Sequence, residues 1–306
     1  MVADEPGNGY DPLRVEEGTP EAVVINHVLH DPSRDREIPI RVFLPQTREP
    51  APVILVSHGL GGALHDKAYL APHWTARGYV VVYMQHPGSD EPVWRDVPRS
   101  QRAEAVTRAA TPEQLMHRIR DVSHVLDFGK TDHDLRGRLD LERVGIAGHS
   151  FGAITAQAVG GARLGFLDFR EPRIHAALMM SPSAPTVGTP EQAFGQVKIP
   201  WMLMTGTRDG SGISGETPES RLLVYPALPP GGKYELVLKD AEHMTFGDRP
   251  LGPQRRPRNP NHHRVVLALS TAFWDAELKK DAAARAWLTE GGTAAVLEAD
   301  DRFRHK

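Results

Sequence analysis

Val144-Gly145-Ile146-Ala147-Gly148-His149-Ser150-Phe151-Gly152-Ala153-Ile154-Thr155-Ala156-Gln157-Ala158 changes its periodicity in the middle. The first four residues form a short continuous apolar run, the pattern of a strand buried on both faces. The last six are mostly small and helix-compatible, with no turn residue among them. Between the two halves lies Gly148-His149-Ser150-Phe151-Gly152. Glycines on either side of a serine let the chain turn sharply from strand to helix, with no side chains to collide at those positions. Such a turn pushes the serine out above the end of the strand. A strand that feeds directly into a helix is also the unit from which parallel sheets are built.

Working outward, runs of the same kind recur at residues 53–56, 79–84, 176–180, 201–204 and 234–238. Amphipathic stretches separate them. Thr111, Pro112 and Glu113 followed by Leu115, Ile119, Val122, Val125 and Leu126 supply a cap, a first-turn proline and helical spacing, which predicts a helix over 112–128. Residues 66–77, 151–163 and 262–279 read the same way, and the Ala-rich 281–298 reads as one more short helix. Residues 23–27 and 38–44 flank the polar turn Asp31-Pro32-Ser33-Arg34-Asp35, the signature of an antiparallel hairpin. The predicted fold class is therefore α/β: a mostly parallel sheet with an antiparallel N-terminal hairpin and helices on both faces. A flexible acidic leader over 1–20 precedes a single domain over 21–306. Residues 86–111 and 206–220 read as loops following strands, where open α/β sheets bind ligands.

Composition narrows the function classes. The 306 residues carry 36 Lys and Arg against 39 Asp and Glu, a net charge of -3, which leaves no basic face for nucleic acid. The absence of cysteine removes disulfide frameworks, thiolate zinc sites, cysteine nucleophiles and iron–sulfur clusters. No apolar run approaches the ~18 residues of a membrane span. The polar start Met1-Val2-Ala3-Asp4-Glu5 is not a signal-peptide core, and the leader fits a mature exported protein as well as a cytoplasmic one. Oligomeric state is left open.

A serine hydroxyl needs a base, and the base needs an acid, in the chain order Ser, acid, His. His243, just past the run 234–238, is the expected base, ahead of His175, His262 and His263. Asp209, just past 201–204, is the expected acid, ahead of Asp240 and Glu242. The N–H of Phe151 and that of Leu60, in Ser57-His58-Gly59-Leu60-Gly61-Gly62, are the expected oxyanion donors, with Gly61 as the substitute for Leu60. Trp94 and Ile213, with Pro92 and Pro218, are expected to line a substrate pocket. Asp132-His133-Asp134 and His262-His263 lack the spacing of a zinc or calcium site, so neither a metal nor another cofactor is expected. The basic stretch 254–258 (QRRPR) reads as a solvated surface.

On these residues the chain resembles serine hydrolases of the α/β-hydrolase fold, and among them the platelet-activating-factor acetylhydrolase and dienelactone-hydrolase-like group. His58-Gly59-Leu60-Gly61, Gly148-His149-Ser150-Phe151-Gly152 and His243-x-x-Phe246-x-Asp248 carry the resemblance, in order, over residues 52–280. It implies Ser150 as nucleophile, His243 as base, and Leu60 and Phe151 as oxyanion donors. Two features depart from that group. Met179-Met180-Ser181-Pro182-Ser183-Ala184 holds no carboxylate where the acetylhydrolases place their acid, and the cysteine nucleophile of dienelactone hydrolases is missing. The expected activity is hydrolysis of a small-molecule carboxylic ester with a short or compact acyl group, extending to polyester. An amide or peptide hydrolase on the same triad and a non-catalytic binding relative are the alternative readings.

Overall fold

In this computed structural model, which describes residues 9–47, 49–248 and 259–306, the apolar runs become strands of one mixed sheet. The strands are β1 (Val23–Asp31), β2 (Arg36–Leu44), β3 (Ala51–Ser57), β4 (Val80–Met84), β5 (Leu139–His149), β6 (Arg163–Leu164), β7 (Leu167–Asp168), β8 (Ile174–Met180), β9 (Trp201–Arg208), β10 (Lys233–Glu242) and β11 (Arg302–His305). Nine of them lie in the order β1-β2-β4-β3-β5-β8-β9-β10-β11, while β6 and β7 form a separate small hairpin. The run from β4 to β10 is parallel throughout. The hairpin β1–β2 joins β4 antiparallel, and β11 adds antiparallel to β10.

Every residue of β3 and of β4 is buried, as strands covered on both faces must be. Successive side chains alternate between two cores. Val53, Leu55, Val80 and Val82 face one core, packed with Ile119, Val122 and Val125 of the helix Pro112–Thr131 and with Ala153 and Ala156 of the helix Phe151–Val159. Ile54, Val56, Val81 and Tyr83 face the other, packed with Trp74 of the helix Leu70–Ala76 and with Phe273 and Trp274 of the helix Pro260–Leu278. The predicted α/β class, the parallel sheet, the opening hairpin and the two helical layers are all present.

Thr111 accepts from Gln114 N at the start of Pro112–Thr131, so the cap and the first-turn proline read from sequence act as read. Other expectations need correction. Residues 86–111 are not irregular: they contain Pro92–Arg95, a 3-10 turn Arg99–Gln101 and the helix Arg102–Arg108. Only Ala105 of the last is buried, so it carries no apolar stripe to be read. The segment 281–298 is not one helix: Ala282–Thr289 stops before Gly291, whose φ of 95° is left-handed, and a 3-10 turn Gly292–Ala295 follows. Residues 10–14 of the expected leader are docked. Tyr10 Oη donates to Asp275 at 2.7 Å, its ring meets Trp287, and Arg77 donates to the carbonyls of Asp11 and Arg14. Residues 1–8 and 254–258 lie outside the described residues. Among the described residues, no helix is long and apolar enough to cross a membrane.

Candidate active site

The strand β5 ends at His149 and the next helix begins at Phe151, so Ser150 alone makes the turn, at φ 56° and ψ -118°. That backbone is costly for a residue with a side chain and persists only where the surroundings enforce it. The two glycines do so. A Cβ on Gly148 would lie 2.0 Å from Gly152 O, and one on Gly152 would lie 2.1 Å from Ser57 O. Ser150 N–H is tied to Met180 O at 3.0 Å, which fixes the turn to the end of β8.

Asp209 follows β9, and His243 follows β10 in a 3-10 turn (His243–Phe246). All three residues therefore meet at the carboxyl end of the parallel strands. Ser150 Oγ lies 2.9 Å from His243 Nε2, and His243 Nδ1 lies 2.8 Å from Asp209 Oδ1. Burial pushes the Asp209 carboxyl up, but the hydrogen bond from His243 and the Arg221 guanidinium outweigh it and hold the group below its ordinary range. An ionised Asp209 accepts from Nδ1–H, so Nε2 is left to accept from the Ser150 hydroxyl. Thr205 Oγ1 donates to the other carboxylate oxygen at 2.8 Å.

His149, within the turn, is a support for this string. Its Nε2–H donates to His243 O at 2.9 Å, its ring stacks obliquely on that of His243 with centroids 4.8 Å apart, and burial holds its pKa well below that of an ordinary histidine.

Beside Ser150 lies the loop after β3. A Cβ on Gly59 would fall 3.6 Å from Ser150 Cβ, which measures how closely the backbones approach. Gly61 N–H donates to Ser89 O at 2.9 Å and Gly62 N–H to Gly59 O at 3.0 Å. The Gly61 amide is thereby occupied. The N–H groups of Leu60 and Phe151 have no hydrogen-bond acceptor among the described residues.

Arg118 lies fully buried behind this loop. It donates to His58 O at 2.7 Å and to Ser89 Oγ at 2.8 Å, and its guanidinium sits 4.6 Å from the Phe151 ring centroid. Burial lowers its pKa to about 9. Below it, Ser57 Oγ, His86 and Asp121 form a second string with both links at 2.9 Å, and Asp121 also pairs with Arg34 and Arg36. Arg221, also fully buried, touches both Asp209 and His243.

The remaining expected residues divide. Trp94 is at the site's edge: its Nε1–H donates to Gly61 O at 2.8 Å. Ile213 is 43% exposed on the turn closed by Ser211 N and Glu216 O, and no described contact brings it to Ser150. His262 and His263 are held by the carbonyls of Lys239 and Thr245, and Asp240 pairs with Arg208 at the surface. The carboxylates of Asp132 and Asp134 come together with His27 of β1, ligand atoms within 4.8 Å of one another, while the exposed His133 lies 3.2 Å from Asp134.

Sequence reading missed Arg118, Asp121, His86 and Arg221. For the first two a signal existed: residue 118 falls three positions after Leu115 and four before Val122, and residue 121 four before Val125, on the stripe that faces the core. A charge there needs a buried partner. No protein-family model matches the chain, and no curated protein matches it.

Proposed function

We propose that the chain is a serine hydrolase of the α/β-hydrolase fold that cleaves carboxylic esters of compact acyl groups. One observation carries this reading: the Ser150–His243–Asp209 string, with links of 2.9 and 2.8 Å, stands on a strained strand-to-helix turn beside two amides that have no acceptor among the described residues. The strand order and the placement of all three residues after parallel strands support the fold assignment.

In the proposed reaction Ser150 Oγ attacks the ester carbonyl carbon while His243 Nε2 takes the hydroxyl proton. Asp209 keeps the ring in the Nδ1–H tautomer and stabilises the imidazolium. The carbonyl oxygen becomes an oxyanion held by the N–H groups of Leu60 and Phe151, which have no competing acceptor among the described residues. Collapse breaks the bond to the alcohol oxygen, which takes the proton from His243. A water, deprotonated by His243, then attacks the acyl-enzyme and releases the acid and free Ser150. Trp94, pinned to the carbonyl of Gly61, forms one wall beside the oxyanion.

Turnover of short p-nitrophenyl esters, with and without Ser150→Ala, tests the reading. The variant is expected to be inactive and unlabelled by a fluorophosphonate while keeping the wild-type melting profile. Retained turnover in the folded variant removes the assignment.

A further inference from the structure

We propose that Arg221 is a fourth, positioning member of the Ser150 site, and that its fixed positive charge extends the reaction toward acid pH. The inference rests on the serine-hydrolase reading and deepens it. Arg221 closes the short helix Pro218–Arg221 and is fully buried. Its Nε–H donates to Asp209 O at 2.7 Å and lies 3.0 Å from Asp209 Oδ1. One terminal nitrogen donates to Ser181 O and Pro182 O, both at 2.9 Å. The guanidinium thus fastens the acid's own backbone to the chain leaving β8, across two strand ends.

The other terminal nitrogen lies 3.2 Å from His243 Nδ1 and 3.3 Å from Glu216 Oε2. A guanidinium only donates, and Nδ1 already uses its proton toward Asp209. Two donors therefore face each other, and the contact acts as charge against charge. It opposes a second positive charge on the ring without blocking the neutral base. Water screens it little, because the guanidinium is fully buried and the His243 side chain is only 16% exposed.

The groups facing His243 from each packed element are few. Asp209 comes from the end of β9, Arg221 and Glu216 from the segment after it, Ser150 and the uncharged His149 from the end of β5, and Glu242 precedes it on β10. Lys67 adds positive charge at His149. Among these, Arg221 is the cation in direct contact with the ring, and Glu216 is the anion that partly offsets it.

The sign of the effect follows. Removing the Arg221 charge removes the cation that faces the ring at 3.2 Å, so the acidic limb of the rate profile is expected to move up. Removing the Glu216 charge leaves Arg221 less neutralised and moves the limit the other way. The test is the pH dependence of kcat/KM on a short p-nitrophenyl ester, and of fluorophosphonate labelling of Ser150, in the full chain. Arg221→Met is expected to move the acidic limb up by roughly 1–2 units, with Arg221→Lys recovering part of the shift. Glu216→Gln is expected to move it down.

Wild-type limbs in both Arg221→Met and Glu216→Gln, or shifts of both in one direction, overturn the role of Arg221 even if rates fall. Should Arg221→Met fail to fold, Arg221→Gln takes its place, and a wild-type acidic limb in that variant overturns the role of Arg221. A wild-type chain that neither labels nor turns over ester fails at the underlying reading, and the inference falls with it.

Discussion

Ser57 Oγ lies 2.9 Å from His86 Nε2, repeating inside the protein the relation of Ser150 to His243. Asp121 completes that string, as Asp209 completes the other. The difference is access. Ser57, His86 and Asp121 are all fully buried, whereas Ser150 is only partly covered and the His243 side chain is 16% exposed. A carbonyl cannot reach Ser57, so the inner string acts as a tie between the ends of β3 and β4 and the helix Pro112–Thr131. A fluorophosphonate is expected to label Ser150 and leave Ser57 untouched. Ser57→Ala should keep its labelling and lose roughly 1–2 kcal/mol of stability from the unpaired His86 nitrogen, read by urea unfolding and peptide mapping. Label on Ser57 would contradict this.

Arg118 is expected to act on the oxyanion site without touching substrate. A trans peptide points its C=O and N–H in opposite directions. His58 Nδ1–H donates to Gly59 O at 2.6 Å, Arg118 approaches the same oxygen at 3.5 Å, and Arg118 holds His58 O at 2.7 Å. These bonds draw the Gly59 carbonyl toward the buried side, which turns the Leu60 N–H outward. Losing one oxyanion donor costs roughly 10²–10³ in kcat. Arg118→Met is therefore expected to lower kcat by about 10²-fold with KM nearly unchanged, because the donor acts on the developing charge. Steady-state kinetics on a p-nitrophenyl ester would decide; a rise in KM alone would refute the orientation role.

Gly148 and Gly152 set the turn by contact rather than by their own dihedral freedom. With a Cβ on either one meeting backbone at 2.0 or 2.1 Å, the strand and helix must separate to admit a methyl group. Gly148→Ala and Gly152→Ala are each expected to cost about 2–3 kcal/mol and to abolish labelling of Ser150. Gly78→Ala is the control: its φ of 86° carries a conformational cost, but nothing lies within 4 Å of the new methyl. It should lose about 1 kcal/mol and keep full activity. Thermal melts and labelling rates separate the two effects.

The central strands were legible because burial on both faces makes each a continuous apolar run. The residues of the Ser150 string were legible because each stands directly after such a run. Elements held by few apolar contacts were not. The segment Arg302–His305 pairs with β10 although only Phe303 packs on the core, and Arg102–Arg108 is a helix with one buried residue. Arg118 and Asp121 were legible in principle, as charges on an apolar stripe. Arg221 was not: a short helix after an exposed turn gives no periodicity, and its partners lie just past the ends of three different strands, β8, β9 and β10.

Buried neutral histidines should make the fold sensitive to mild acid. Burial, aided by the Arg118 charge, pulls His86 down to about 4 from its ordinary 6.5, and burial likewise holds His58 and His149 well below that value. Between pH 6.5 and 4 the unfolded chain binds protons that the folded chain does not, so stability rises with pH across that window. Descending from pH 7 to 4 should cost about 3 kcal/mol through His86 alone, with His58 and His149 adding in the same direction. The depressed carboxyls of Asp31, Asp121 and Glu171 act in the same sense but lower, since each loses its contribution only as pH falls below the ordinary carboxylate range. His86→Gln distinguishes the windows. It should be less stable than the wild type at pH 7.5, having lost its bonds to Ser57 and Asp121, yet show a shallower decline between pH 6.5 and 4, while Asp31 and Glu171 keep their share of the decline below. Urea midpoints at half-unit intervals test this, and a wild-type chain equally stable at pH 4.5 and 7.5 would show that the three rings are not held neutral.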